Sequence, residues 1–132
     1  MFTGLDHVAI VVPDTEEALK TFRDKLGLTL LYSEVVNNGA VRLTHLDAGN
    51  THVQLVQPLT PDHPLHGDLQ KKGIHLNHIC FKVENVDDAM TEAPSHGLAV
   101  AQAKPHQGTQ GKRAFFIDRA ATEGVPVEVT GK

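Results

Sequence analysis

The chain has 132 residues, of which 40% are hydrophobic and 21% are charged, and its formal net charge is −4. This length suits one domain, and the acidic balance excludes a general nucleic-acid surface, which needs an excess of Lys and Arg. A single cysteine, Cys80, excludes an internal disulfide framework, and no apolar run approaches the roughly 20 residues that cross a bilayer. The sequence therefore predicts a cytoplasmic protein without nucleic-acid or membrane partners.

The chain opens with a predicted strand over residues 5–12, in which alternate side chains share a face and His7 lies near the start. Asp14 or Thr15 then caps a helix that Gly27 ends. Three further strands are predicted over residues 28–36, 40–48 and 51–57, with Asn-Asn-Gly and Gly-Asn turns between them. The first module, residues 5–57, is therefore a strand, a helix and three strands.

The same plan returns after a linker over residues 58–74, which contains a helical patch at 65–72. The second module, residues 75–130, has His78 where the first has His7. Pro94 should stop its helix, residues 87–93, because proline cannot continue the hydrogen-bond ladder. Its strands are predicted over residues 75–83, 98–104, 112–118 and 124–130, with a mobile loop over 104–111. Two βαβββ repeats predict one α+β domain that covers residues 1–132.

In the last strand of each module, one side chain offers an oxygen atom as a metal ligand. Each of these side chains follows the histidine of its own module at a similar distance along the chain. These are Gln54 in the first module and Glu128 in the second. Two imidazoles, one carboxylate and one amide oxygen suit a six-coordinate divalent metal with two open places. The matched placement predicts a metal site of His7, Gln54, His78 and Glu128, although each residue alone would be an ordinary strand residue. The histidines without this symmetry are predicted to lie at the surface: His45, His52, His63, His66, His75, His96 and His106.

These repeats and ligands resemble the vicinal oxygen chelate superfamily, which includes glyoxalases, bleomycin-resistance proteins and extradiol dioxygenases. Within it, the chain is similar to the methylmalonyl-CoA epimerases over nearly its whole length. The stretches that carry the similarity are residues 5–14, 46–51, 54–59, 111–116 and 124–128. The resemblance implies a curved, mainly antiparallel sheet around the metal site, and a homodimer.

The resemblance also implies a reaction, the interconversion of (R)- and (S)-methylmalonyl-CoA by abstraction of the α-proton through a metal-chelated enolate. Glu128 would be both a metal ligand and the catalytic proton carrier. Lys112 and Arg113 are candidates for binding a phosphate or carboxylate of the acyl-CoA substrate. The implied metal is Co²⁺ in the first place, with Zn²⁺, Mn²⁺ or Ni²⁺ as alternatives.

The chain departs from this family where some epimerases carry a glutamate as a second base on the third strand. Here that position is Arg42 or Leu43, depending on where an extra residue falls. Neither side chain can exchange a proton at neutral pH. We therefore expect a metal-held water or another titratable group to transfer the proton at the face of the substrate opposite Glu128. His45 and Glu34 are the candidates for such a group.

Two other functions stay open at this point. A lactoylglutathione lyase-type enzyme would use the same metal with a different pocket, although bacterial enzymes of that type commonly have Glu in place of Gln54. A non-catalytic small-molecule-binding protein of the resistance type would use the same fold without chemistry. The presence of all four ligands favours an enzyme over such a binding protein.

Overall fold

The structure, a computed structural model, describes residues 1–132 and divides them into two units. The N-terminal unit comprises residues 7–77, and the C-terminal unit comprises residues 1–6 and 78–132. The predicted linker, residues 58–74, thus belongs to the N-terminal unit. The description of residues 1–132 as one domain with modules at 5–57 and 75–130 stays a prediction.

Four strands form the sheet of the N-terminal unit, in the order β2, β3, β4, β1. The pair β1 and β4 is parallel and the other two pairs are antiparallel. The β2–β3 hairpin turns through Asn37, Asn38 and Gly39, all with φ between 55° and 83°, as its Asn-Asn-Gly sequence predicts. The elements are β1 (Gly4–Val11, from residue 7 in this unit), α1 (Thr15–Leu19), β2 (Thr29–Val36), β3 (Val41–Asp47), β4 (His52–Pro58) and α2 (Leu65–Lys72).

The predicted first helix is present, but its second half has a different hydrogen-bond pattern. Asp14 caps α1 by accepting a hydrogen bond from the backbone N–H of Glu17 at 3.1 Å. After α1 the chain continues as a π-helical segment, Lys20–Lys25, and Gly27 follows with a φ of 80°. The periodicity of apolar residues predicts the helix but does not distinguish the two hydrogen-bond patterns.

Both faces of this sheet are covered at least in part. Ala18 and Leu19 of α1 pack with Leu46 and Leu55 on one face. On the other face, Leu65 and Leu69 of α2 pack with apolar residues of four strands: Ala9, Val11, Val36, Val41, Leu43 and Val56. The helical patch predicted at 65–72 is therefore confirmed, and it covers the apolar end of the face to which His7 and Gln54 belong.

The C-terminal unit repeats the arrangement with the strand order β5, β8, β7, β6. The pair β5 and β8 is parallel, and the others are antiparallel. The predicted strand over 98–104 is wrong, because only Val100 forms a bridge, to Ile117, in a segment otherwise made of bends. The elements are β5 (His75–Lys82, from residue 78 in this unit), α3 (Val86–Glu92), β6 (His106–Gln107), β7 (Arg113–Phe116) and β8 (Val127–Gly131).

One face of this second sheet is packed under α3. Val86 and Ala89 of the helix contact a core that contains Phe115, Val127 and Val129. As Pro94 predicts, α3 ends at Glu92, and a short 3-10 turn over Ala93–His96 follows it. The opposite face carries His78, Cys80 and Glu128. None of the helices in the chain is both long enough and apolar enough to span a bilayer.

Candidate metal and proton-transfer site

The C-terminal unit brings together the two ligands predicted in its half of the chain. Cys80 of β5 is in register with Glu128 of β8, so His78, two residues earlier in β5, shares the face of Glu128. His78 Nε2 lies 3.3 Å from Glu128 Oε1, and the two side chains are only 8% and 11% exposed. A buried carboxylate is costly unless it is paired with a cation or well hydrogen-bonded. This pair therefore fits one edge of a divalent metal site.

Glu128 has a second partner that the sequence did not predict. His106 Nε2 lies 2.8 Å from Glu128 Oε2. Because an ionised carboxylate can only accept, this ring nitrogen carries the hydrogen and donates it. The other ring nitrogen lies 3.1 Å from the amide nitrogen of Gln102, and the ring stacks on Phe116 with centroids 5.5 Å apart. His106 is thus half-buried, with 28% of its side chain exposed, and its loop position carries no periodic signal that would have revealed the contact with Glu128.

Cys80 is fully buried beside this pair, as expected of a packing residue. Burial raises the pKa of its thiol far above the ordinary value, and the nearby charge of Glu128 adds to the effect. A thiol that stays protonated is a poor nucleophile and a poor ligand. Cys80 is therefore unsuited to act as a nucleophile or as a thiolate ligand at neutral pH.

The N-terminal unit holds its two predicted ligands on adjacent parallel strands. His7 of β1 is in register with His52 of β4, and Ala9 is in register with Gln54. His7 and Gln54 thus share one face of the sheet, two residues apart in register, and both are buried. A neutral imidazole and an amide oxygen are both suitable ligands for a divalent metal.

A third histidine in this unit contacts Gln54 directly. His45 of β3 is 1% exposed, so its predicted surface position was wrong. Its Nε2 lies 2.9 Å from the amide nitrogen of Gln54, and its Nδ1 lies 2.9 Å from Nδ1 of His52. Its ring stacks on Tyr32, and the His7 ring meets it edge-on. Cross-strand register creates this cluster, and the spacing of residues along the chain does not show it.

The register of β3 places Arg42 and Leu43 on opposite faces of the sheet. Leu43 is in register with Val56 and with Glu34, so both Leu43 and Glu34 share the face of Gln54. Arg42 points to the opposite face, where it pairs with Glu16 at 3.0 Å. Of these two residues, the inert Leu43 therefore shares the face of Gln54, with the carboxylate of Glu34 beside it on the neighbouring strand.

The two predicted substrate-binding residues differ in placement. Lys112 pairs with Asp6 at 3.2 Å and is 40% exposed. Arg113 makes two hydrogen bonds of 2.9 Å with the carboxylate of Asp87 in α3, which holds the pKa of Asp87 below its ordinary value. Arg113 therefore lies on the helix-covered face of β7, whereas Glu128 lies on the other face. Substrate binding by either residue stays a prediction.

Comparison with known proteins shows which family and which relatives this chain is similar to. The profile of the glyoxalase/bleomycin resistance protein/dioxygenase superfamily matches residues 6–116. The uncharacterized protein YqjC of Bacillus subtilis is 34% identical over 95% of this chain and 89% of its own length. The mitochondrial methylmalonyl-CoA epimerase of Mus musculus is 34% identical over 95% of this chain and 71% of its own length.

A solved structure shows that the similarity to epimerases extends to the fold. A methylmalonyl-CoA epimerase in complex with methylmalonyl-CoA and ammonium is 26% identical, with a TM-score of 0.88. The match covers 100% of this chain and 96% of the other. The predicted α+β fold of two βαβββ repeats is confirmed by this match.

Proposed function

Because the chain belongs to the glyoxalase/bleomycin resistance protein/dioxygenase superfamily, we propose that it is a metal-dependent epimerase that interconverts (R)- and (S)-methylmalonyl-CoA. The similarity to epimerases along almost the whole chain supports this substrate. The observation that carries the proposal is Glu128, a buried carboxylate held between His78 and His106. A carboxylate so placed can both bind a cation and carry a proton.

In this proposal His7, Gln54, His78 and Glu128 hold the metal. The donor set of each unit fits such a role, since each supplies one imidazole and one side-chain oxygen from a buried position. When bound, a divalent ion such as Co²⁺, Zn²⁺, Mn²⁺ or Ni²⁺ supplies Lewis-acid stabilisation of the negative charge that develops on the thioester oxygen. The protein's own residues then have to move the proton.

Glu128 takes the α-proton from one face of the substrate. His106 donates its hydrogen bond to Oε2 of this carboxylate and so orients it. The corresponding residue of the N-terminal unit, Gln54, is an amide and cannot carry a proton at neutral pH. The two units are therefore unequal in proton transfer, although they would share the task of binding the metal.

Inversion needs a second group that returns a proton to the other face. His45 is poorly suited to that task because both of its ring nitrogens are hydrogen-bonded within the protein. Glu34 is half-buried on β2, in register with Leu43 and on the face of Gln54. We assign Glu34 as the second proton carrier. Glu128 would take the proton of one epimer and Glu34 would donate its own, with the roles reversed in the other direction.

Lys112 is the residue that we propose to bind a charged group of the substrate. Its ammonium group is 40% exposed and can therefore meet a phosphate or carboxylate of the acyl-CoA. Arg113 is not included, because it lies on the face of β7 that α3 covers, opposite to the face of Glu128.

The test is the fate of the α-hydrogen. Metal-loaded protein in deuterated water should place deuterium on the α-carbon of methylmalonyl-CoA and convert either epimer into a mixture of both. Proton NMR follows the exchange, and an epimer-specific coupled assay follows the inversion. Efficient turnover of the hemithioacetal of methylglyoxal and glutathione, without exchange into methylmalonyl-CoA, would replace this proposal with the lyase alternative.

A further inference from the structure

Gln54 has a neighbour that determines which end of its amide is engaged within the protein. The amide nitrogen of Gln54 lies 2.9 Å from Nε2 of His45. An amide nitrogen can donate hydrogen bonds but cannot accept them. With the amide in this orientation, His45 Nε2 is the acceptor and carries no hydrogen.

The other side of the His45 ring is then determined as well. A neutral imidazole without a hydrogen on Nε2 carries it on Nδ1, and this atom lies 2.9 Å from Nδ1 of His52. His52 accepts at that atom and carries its own hydrogen on Nε2. The result is a directed chain of hydrogen bonds from Gln54 through His45 to His52.

The surroundings of His45 hold the ring in place. The side chain is almost fully buried, and Tyr32 stacks on it with centroids 4.7 Å apart and planes 17° apart. The ring of His7 meets it edge-on at 5.2 Å. A ring packed on two sides and hydrogen-bonded at both nitrogens has one orientation. His45 Nε2 therefore always accepts its hydrogen bond from the amide nitrogen of Gln54.

We propose that His45 is a positioning residue that makes the amide oxygen of Gln54 the metal ligand. It engages the amide nitrogen, which cannot bind a metal, and thereby leaves the oxygen for a divalent ion. With the amide rotated by 180°, the nitrogen would take the place of the ligand. This inference rests on the proposed metal site, and it gives the site a supporting residue that the four-ligand pattern does not contain.

The first experiment determines the tautomer of His45 in the metal-free protein. Long-range nitrogen–proton NMR spectra of protein labelled with ¹⁵N-histidine distinguish the two ring nitrogens. We expect a protonated Nδ1 and an unprotonated Nε2 in His45. A hydrogen on Nε2 would overturn the proposal, because the amide oxygen of Gln54 would then have to face His45.

The second experiment measures Co²⁺ binding by competition with a chromogenic chelator, together with the visible spectrum of the bound ion. His45→Phe keeps the ring stack and removes the acceptor, so affinity should fall by about 10- to 100-fold, as is usual when a residue that supports a metal ligand is lost. His45→Gln can place an amide oxygen near the position of Nε2 and should recover most of that loss. His96→Phe, at an exposed histidine, is the matched control.

These readouts do not depend on methylmalonyl-CoA, so a failure of the proposed reaction is distinguishable from a failure of this inference. Wild-type affinity and an unchanged spectrum in a folded His45→Phe protein would overturn the inference. The same holds if the wild-type protein binds no divalent ion. Thermal unfolding establishes that the variants are folded, and the tautomer measurement on the wild-type protein applies even if His45→Phe does not fold.

Discussion

The N-terminal unit has an amide, Gln54, where the C-terminal unit has a carboxylate, Glu128, and in both units a histidine on another strand contacts this proposed oxygen ligand. The direction of the hydrogen bond is opposite in the two cases: His45 accepts from the amide, whereas His106 donates to the carboxylate. Each direction follows from what the ligand can do, because an amide nitrogen only donates and a carboxylate only accepts. The same strand plan therefore yields one group that can carry a proton and one that cannot.

The units also differ in the surroundings of these ligands. In the N-terminal unit α2 packs on the same face as Gln54, through Leu65 and Leu69. In the C-terminal unit the corresponding face carries polar groups around Glu128, and its helix α3 lies on the other side. The helix α2 covers only the apolar end of its face, however, and Gln54 itself lies beside His45 as Glu128 lies beside His106.

The largest effect should come from Glu128→Gln, which makes the C-terminal unit resemble the N-terminal unit. We expect turnover to fall by roughly a thousandfold or more, since the change removes a base that also binds the metal. Loss of tritium from the α-carbon, measured for each epimer separately, provides the measurement, and Glu92→Gln at an exposed site is the control. Near wild-type release of tritium from both epimers by the Glu128→Gln protein would show that Glu128 is only a ligand.

Glu34→Gln tests the proposed second proton carrier, which lies in the N-terminal unit. If Glu34 supplies the second proton, inversion should slow by about a hundredfold, the lower end of the usual contribution of a general acid. The α-hydrogen of the epimer that Glu128 deprotonates should still exchange with solvent. The control is Glu16→Gln, whose carboxylate lies on the opposite face of the sheet with Arg42. Equal rates of inversion in the Glu34→Gln and wild-type proteins would exclude Glu34.

His106→Phe tests whether the hydrogen bond from His106 to Glu128 contributes to kcat. The phenyl ring can keep the stack on Phe116 but cannot donate to the carboxylate. We expect kcat to fall about tenfold, with a smaller change in KM, because the orientation of the base is lost while the base itself remains. A change confined to KM would assign His106 to substrate binding.

The smallest effect should come from Cys80→Ala. This change gives β5 the residue that β1 has two positions after its histidine, Ala9. The free energy of unfolding should fall by about 1 kcal/mol through the small cavity, with turnover unchanged. In the native wild-type protein the raised pKa keeps the thiol protonated, so iodoacetamide should label Cys80 at pH 8 only after unfolding. Rapid labelling of the folded protein would contradict its burial.

The sequence predicted those parts of the fold that repeat or that obey a strong local rule. Strands with alternating apolar residues, the Asn-Asn-Gly hairpin and the stop at Pro94 are all present. Residues 98–104 were wrongly predicted as a strand, because β-propensity alone does not supply a partner along the full segment. The two-residue strand β6 is too short for any periodic pattern.

The candidate site could be predicted to the extent that it follows the repeat. His7 and His78 are candidates because they occupy equal places in two modules, and Gln54 and Glu128 because they lie in the last strands of those modules. His45 and Arg42 depend on cross-strand register, where a shift of one residue moves a side chain to the other face. The register of the β3–β4 pair, and not the order of residues along the chain, places His45 beside Gln54.

The two supporting histidines also differ in how firmly the backbone holds them. His45 lies in the middle of a seven-residue strand that pairs on both sides, whereas His106 lies in a two-residue strand that pairs only with β7. Local opening costs least where few backbone hydrogen bonds must break. Amide hydrogen exchange should therefore be fast at His106 and slow at His45. Glu128 would lose its supporting histidine in brief local excursions of this segment, while Gln54 keeps His45 until the unit unfolds as a whole.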